Sequence, residues 1–229
     1  MKVEIYSDIV CPWCYIGERR FERALAAFPG AREVEVVFRP YQLDPSAPAA
    51  AIPLRQYLER RFGGSSERMT AQVGAAASAE GISIDWDRAL AVNTLQSHRL
   101  LRLAETEYGP TVQRALVEKL FAAHFTDGLD VSDTEVLTDL ATSLGMEEAR
   151  VRGYLASEEG MAELEDELAG AREMGIRAVP TFLIEGQYVV QGAQSASVFL
   201  QALEEVEKRV AAPAATAGGD GCEDGSCEV

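Results

Sequence analysis

The residues most clearly fit for chemistry are Cys11-Pro12-Trp13-Cys14. They follow an apolar strand pattern, Val3-Glu4-Ile5-Tyr6, and precede a helical pattern from Tyr15 to about Phe28. A Cys-x-x-Cys pair at a strand-to-helix corner suits dithiol–disulfide exchange. Cys11 stands where a helix N-terminus offers unpaired N–H groups and the positive end of its dipole, which favours a thiolate. Cys14, about one turn further on, can resolve a mixed disulfide from within the chain. Pro12 presets the first helical turn, where its missing N–H costs nothing. The same spacing also fits half of a zinc site or two inert buried thiols. A zinc site wants further ligands, and the next cysteine is Cys222. Redox chemistry is therefore preferred, with no metal and no cofactor expected.

The elements that must position this pair are readable in outline. Phe21, Leu25 and Phe28 give the helix one apolar face, and Pro29-Gly30 ends it. Val34 to Arg39 reads as a second strand ended by Pro40, so strand, helix and strand form a βαβ unit with parallel strands. A loop rich in Pro and Ala follows, and then a long helical block from about Leu54 to Met174. Within it Ser132 to Glu135 reads as a capping box and Asn93 as an N-cap. Ile82 to Trp86 reads as a loop with Trp86 plugging the core. Thr181 to Ile184 and Tyr188 to Val190 form a hairpin about Glu185-Gly186-Gln187, and a last helix runs from Ser195 to about Val210. The chain from Ala211 is Ala/Gly/Pro-rich and then acidic, and reads as a flexible tail carrying Cys222 and Cys227.

The totals exclude several classes. The chain has 229 residues, 47% of them hydrophobic and 25% charged, as in an ordinary globule. Its formal charge of −16 argues against nucleic acid and anionic membranes as partners. No apolar run approaches the roughly 20 residues that span a bilayer. The N-terminus runs directly into a strand without a signal-peptide pattern, so a cytoplasmic location is expected.

The order strand, Cys-x-x-Cys helix, strand, helical block, Val179-Pro180-Thr181, hairpin and helix resembles the thioredoxin superfamily. Within it the chain is most similar to the DsbA family, in its FrnE-like subgroup. The likeness spans about residues 2 to 210 and rests on Ser7 to Gly17, on Asn93-Thr94-Leu95 with His98-Arg99-Leu100, and on Gly175 to Phe182. It implies an α/β thioredoxin-like fold with a large all-helical insertion between the βαβ and ββα halves. The thioredoxin-like domain would comprise 1–43 and 176–210, the insertion 44–175 and the tail 211–229. The resemblance also implies that Cys11 is the nucleophile, that Cys14 resolves, and that a cis Val179–Pro180 bond lies beside them. Val179 would then pair with an extended substrate chain. On the residues alone, Pro180 could equally just begin a strand.

Trp13 departs from the His that the family's periplasmic oxidases carry there. It brings no charge to hold a thiolate, so a mild oxidant is expected, with Trp13 contacting substrate. Asp8 could tune the thiol, relay a proton, cap the helix or face solvent. His98 and His124 lie among apolar residues and read as core or interface histidines, His98 with a possible place in the cleft. Cys222 and Cys227 admit exchange with Cys11–Cys14, a soft-metal site, or a disulfide that staples the tail. A flexible 12-residue span from Val210 to Cys222 reaches about 19 Å on average, enough to favour exchange.

The expected function is a thiol–disulfide oxidoreductase of the protein disulfide isomerase or reductase type. Its partners would be proteins with thiols or disulfides and a thiol recycling system, with glutathione a candidate. Two rivals stand beside it. One is a glutathione-dependent enzyme like the 2-hydroxychromene-2-carboxylate isomerases and kappa-class transferases, which carry Ser where Cys11 stands. The other is a holdase that needs no redox chemistry.

Overall fold

Strand alternation and one crossover helix build the frame of the site. The computed structural model describes residues 1–48 and 50–211; Cys222, Cys227 and the rest of the tail lie outside them. The chain runs β1 (Lys2–Ser7), α1 (Pro12–Ala27), β2 (Glu35–Pro40), β3 (Ile52–Pro53), α2 (Leu54–Phe62), α3 (Ser66–Ala79), β4 (Leu90–Ala91) and α4 (Leu95–Leu103). It continues through α5 (Pro110–Phe125), α6 (Thr134–Thr142), α7 (Glu148–Leu155), α8 (Met161–Glu173), β5 (Thr181–Ile184), β6 (Tyr188–Gln191) and α9 (Ala196–Ala211).

The sheet order is β2-β1-β5-β6. β1 and β2 are parallel, with Val3 opposite Val36 and Ile5 opposite Phe38, as a helical crossover requires. β1 and β5 are antiparallel, with Ile5 opposite Phe182. Val3 and Ile5 are buried in the main core, whereas Tyr6 joins Ala171 of α8 and Ile176 in a smaller cluster. Phe21 of α1, Phe182 of β5 and Phe199 of α9 pack with ring centroids 4.5 to 5.6 Å apart, which fixes α1 and α9 against the sheet. The outer edge of β2 is closed by a side chain: Gln113 of α5 accepts from the Phe38 N–H at 2.9 Å and donates to the Phe38 carbonyl at 3.0 Å. That occupies part of an edge that would otherwise invite another strand.

This is the thioredoxin-like fold with a helical insertion. Several details differ from the sequence reading. The insertion also holds a two-residue antiparallel ladder, β3 with β4, too short to leave a periodic pattern. Pro40 ends inside β2, where an edge position tolerates it. Asp133, not Ser132, caps α6, accepting from the Glu135 and Val136 N–H groups; the Ser132 hydroxyl is bound to Asp130 instead. Thr94 occupies the cap position of α4, while Asn93 accepts from the Leu95 N–H at 2.9 Å. Arg99 of α4 is buried, and its guanidinium donates to the carbonyls of Tyr154, in the last turn of α7, and of Ser157 and Glu159 just beyond it. A cation there complements the helix C-terminus and ties α4 to α7. Among the described residues no helix is long and apolar enough to cross a membrane.

Candidate active site

Cys11 has extended backbone and is the residue before the first turn of α1, with Pro12 just inside the helix. Its N–H donates to the Asp8 carbonyl at 3.0 Å, and its own carbonyl accepts from the Cys14 N–H at 3.0 Å. Those bonds fix the corner and aim the dipole's positive end at the Cys11 sulfur. Both thiols are free and buried. Cys11 Sγ lies 3.9 Å from the Val179 carbonyl oxygen. The Val179–Pro180 bond is cis, as the resemblance implies.

Gly17 makes this juxtaposition possible. A Cβ there would stand 2.9 Å from Pro180 Cγ and 3.4 Å from the Ala193 backbone. A side chain would push the proline loop away from α1, and with it Val179 from Cys11. The sequence places Gly17 in the motif but assigns it no role.

Cys14 sits behind Cys11, on the core side. Burial, reinforced by the adjacent Cys11 sulfur, pushes its thiol well above the ordinary cysteine range; the Asp8 backbone and the Ser7 hydroxyl oppose this. Cys14 therefore stays protonated until the nearby sulfur is consumed in a disulfide, which relieves part of the penalty. That order suits a resolving thiol.

Asp8 neither caps α1 nor faces solvent. Its side chain is buried, accepts from the Leu43 N–H at 2.7 Å, and lies 3.4 Å from His98 Nε2. The same His98 nitrogen is 3.0 Å from the Tyr41 carbonyl. His98 stands behind Asp8 and lines a water-sized space of about 10 Å³ with Ser7, Glu105 and Glu167. It does not line the larger cavity onto which Cys11 opens. That cavity measures about 370 Å³ and runs from Cys11, Trp13 and Val179 to α2 and α3. Trp86 packs on the core as expected and also forms part of the cavity wall.

His124 is a core residue. Neither ring nitrogen has a partner, its ring meets Phe125 edge-on at 4.5 Å, and burial holds its pKa down to about 4. Glu18 escaped the sequence reading. It is one turn beyond Cys14, 2% exposed, and neither carboxyl oxygen has a partner. Burial first, then Glu118 and Glu22, push its pKa well up, so it is held as the neutral acid. Its spacing, four residues after Cys14 and three before Phe21 on the apolar face, was the available signal. Among the described residues no cluster of His, Cys, Asp and Glu could hold a metal ion.

A family model described as a DSBA-like thioredoxin domain matches residues 2–204. An uncharacterized protein, YwbO, from Bacillus subtilis (strain 168) is 28% identical over 212 residues, covering 90% of this chain and 98% of its own. The crystal structure of the probable DsbA oxidoreductase SCO1869 from Streptomyces coelicolor superposes with a TM-score of 0.85 at 36% identity, covering 100% of this chain and 99% of that one. The cytosolic disulfide reductase DsbM from Pseudomonas aeruginosa, solved with GSH, shares the fold with a TM-score of 0.64 at 18% identity, covering 91% of this chain and 100% of that one. With a matching family model across nearly its whole length and a dithiol at the family's strand–helix corner, the chain belongs to the DsbA-like thioredoxin domain family of thiol–disulfide oxidoreductases.

Proposed function

We propose that the enzyme exchanges thiols and disulfides with polypeptide substrates, acting as a reductase or isomerase rather than as a strong oxidant. The observation that carries this is the placement of Cys11 Sγ at a helix N-terminus, 3.9 Å from the Val179 carbonyl, with Cys14 buried behind it. Cys11 thiolate attacks one sulfur of a substrate disulfide. The Cys11–substrate S–S bond forms, the substrate's own S–S bond breaks, and the other substrate sulfur leaves as a thiolate. Cys14 then attacks Cys11 Sγ, releasing the second substrate thiolate; its proton passes to a departing sulfur. The substrate gains two electrons and the enzyme becomes the Cys11–Cys14 disulfide. A thiol reductant returns the dithiol.

Val179 supports docking of an extended chain: its N–H finds no backbone acceptor among the described residues. Trp13 lines the cavity beside Cys11 and brings no charge, which supports a mild oxidant. The helical insertion, 44–175, forms the lid over Cys11 and sets substrate choice. Cys222 and Cys227 serve as an internal exchange pair for Cys11–Cys14, and the absence of a membrane-crossing helix among the described residues is compatible with a cytoplasmic setting.

The test is reduction of a disulfide-bonded protein such as insulin, with dithiothreitol as the recycling thiol. Cys11→Ser abolishes the acceleration, and Cys14→Ser accumulates a mixed disulfide through Cys11. Full turnover by Cys11→Ser overturns the proposal. Full turnover by Cys14→Ser on an aromatic isomerisation substrate favours the glutathione-dependent alternative. A slower recycling rate after removal of residues 211–229 supports the tail's role, and an unchanged rate removes it.

A further inference from the structure

Arg20 lies three residues beyond Gly17 on α1, a spacing that puts both on one face of the helix. Gly17 lets the Pro180 ring and the Ala193 backbone come close to that face. Arg20 holds what Gly17 admits. Its Nη1 donates to the Ala193 carbonyl at 2.6 Å, and its Nε donates to Glu80 Oε1 at 2.6 Å. Ala193 follows Gly192, whose N–H donates to the Pro180 carbonyl at 2.8 Å. Among the described residues the Arg20 guanidinium is the donor that reaches the Ala193 carbonyl. Glu80 closes α3, the helix that lines the cavity beside Cys11 through Met69, Thr70 and Val73. One side chain of α1 thus touches both the end of a lid helix and the turn bonded to the proline loop.

An ion pair alone does not account for Arg20. The Glu80 side chain is 5% exposed, and Arg23 Nη2 lies 2.5 Å from its other carboxyl oxygen. One guanidinium neutralises one buried carboxylate, so a second is a surplus of charge. What Arg20 adds is the reach to Ala193. A guanidinium is flat and carries its N–H groups in a fixed fork. Gripping Glu80 with Nε therefore sets the direction in which Nη1 points. An ammonium on a flexible stem would have no such fixed second arm. Glu80 orients Arg20, and Arg20 orients the Ala193 turn.

Resting on the polypeptide-substrate reading above, we propose that Arg20, oriented by Glu80, is a positioning residue for substrate docking. It holds the Gly192–Ala193 turn, and through it Pro180, against α1. Val179 is thereby kept alongside Cys11, in place to pair with an extended chain. The Cys11 sulfur is set by α1 and by the bond from its own N–H to the Asp8 carbonyl, neither of which involves Arg20. The brace therefore matters to a substrate that lies along Val179 and not to one that only meets the sulfur. Through Glu80 it also ties the end of α3 to the docking segment.

The test compares two disulfides on the same protein. Insulin offers a polypeptide, and bis(2-hydroxyethyl) disulfide has no backbone to dock. The reduced full chain is mixed with each, quenched with acid, and the loss of free Cys11 thiol is followed by peptide mapping. Arg20→Met keeps an apolar stem and leaves Arg23 to neutralise Glu80. Its insulin-to-small-disulfide ratio of rate constants is expected to fall about tenfold, the loss of one hydrogen bond from a charged donor. The half-saturating insulin concentration rises while the limiting rate changes little, the mark of lost binding. Arg20→Lys keeps the charge without the fork and recovers part of the ratio. Glu80→Gln keeps the Arg20–Ala193 bond but loosens its aim, and lowers the ratio about threefold. A role in stability alone lowers both rates together, so an unchanged ratio in Arg20→Met overturns the brace and leaves polypeptide exchange standing. Should Arg20→Met not fold, the same ratio in Glu80→Gln decides. If the unaltered chain does not react with insulin while its Cys11 still reacts with the small disulfide, the polypeptide-substrate reading falls, and the brace with it.

Discussion

The two sides of the α1 N-terminus differ above all in the room they leave beside the site. In front of Cys11 lies a wide, mostly apolar cavity, about 370 Å³, in whose wall Asp44 and Arg61 are tied to each other. Behind Asp8 lies a space of about 10 Å³, room for one water, bounded by Ser7, His98, Glu105 and Glu167 and by apolar Phe38, Leu101 and Val117. Both walls mix apolar and polar side chains, and only the front has room for more than a water. On the proposed reading the front selects what reaches the sulfur, and the rear holds the strand–helix corner that presents it. Cys11 belongs to the front and Cys14 to the core, a separation that fits the proposed roles of attacking and resolving thiol.

The largest expected effect tests the front. Cys11→Ser removes the nucleophile, and disulfide exchange falls to background, a loss on the order of a thousandfold or more. Insulin reduction against time measures it. The same substitution leaves the rear groups in place, so thermal unfolding shifts little. A variant that keeps exchange would mean that chemistry does not enter through the front at all.

Next come two buried ionisable groups in the core around the site, which press on stability from opposite ends of the pH scale. His124 is held neutral, with its pKa lowered from 6.5 to about 4. Between those values the unfolded chain binds the proton and the folded chain does not. Stability is therefore present above 6.5 and is lost as pH falls toward 4, by about 3 kcal/mol in all. His124→Phe abolishes that limb of the urea-denaturation profile. Glu18 acts the other way. Its pKa is raised, so its contribution is present below the ordinary 4.5 and is lost as pH rises toward the folded value. Glu18→Gln keeps the shape, removes the titration, and raises stability at pH values where the unfolded carboxyl is ionised. A Glu18→Gln protein with an unchanged alkaline limb would show that this carboxyl is ionised in the fold after all.

What the sequence could show follows the distance over which each feature is decided. The strand, Pro12 and the Cys11–Cys14 spacing lie within a dozen residues, and local geometry sets them. The βαβ unit and the hairpin at Glu185-Gly186-Gln187 are likewise local. At α6 two neighbouring capping residues compete, and the outcome turns on Asp130 drawing Ser132 away, which a motif does not encode. The rear of the site was illegible for a different reason. Asp8 meets His98 across 90 positions of sequence only because the tertiary fold brings α4 to the segment after β1. The cavity in front needs α2, α3 and the Trp86 loop folded over Cys11, and no periodicity in those segments announces a wall. Glu18 and Gly17 were legible in principle. One is an acid on an apolar helical face, the other a residue without a side chain in the helix beside the proline loop.

The smallest expected effect tests the rear. Asp8→Asn preserves shape and leaves an oxygen to accept from the Leu43 N–H, but it replaces a charged acceptor with a neutral one and removes the carboxylate 3.4 Å from His98. A charge-assisted bond is about twice as strong as a neutral one, so the expected loss of stability is about 1 kcal/mol. Exchange should change by no more than a few-fold, because Asp8 touches Cys11 through its backbone carbonyl, which Asn retains. Urea denaturation and the insulin assay on the same preparation separate the two quantities. If exchange fell as far as in Cys11→Ser while stability moved by only about 1 kcal/mol, the carboxylate would be moving a proton in the reaction. The division between a selecting front and a supporting rear would then fail, since the rear would be carrying chemistry of its own.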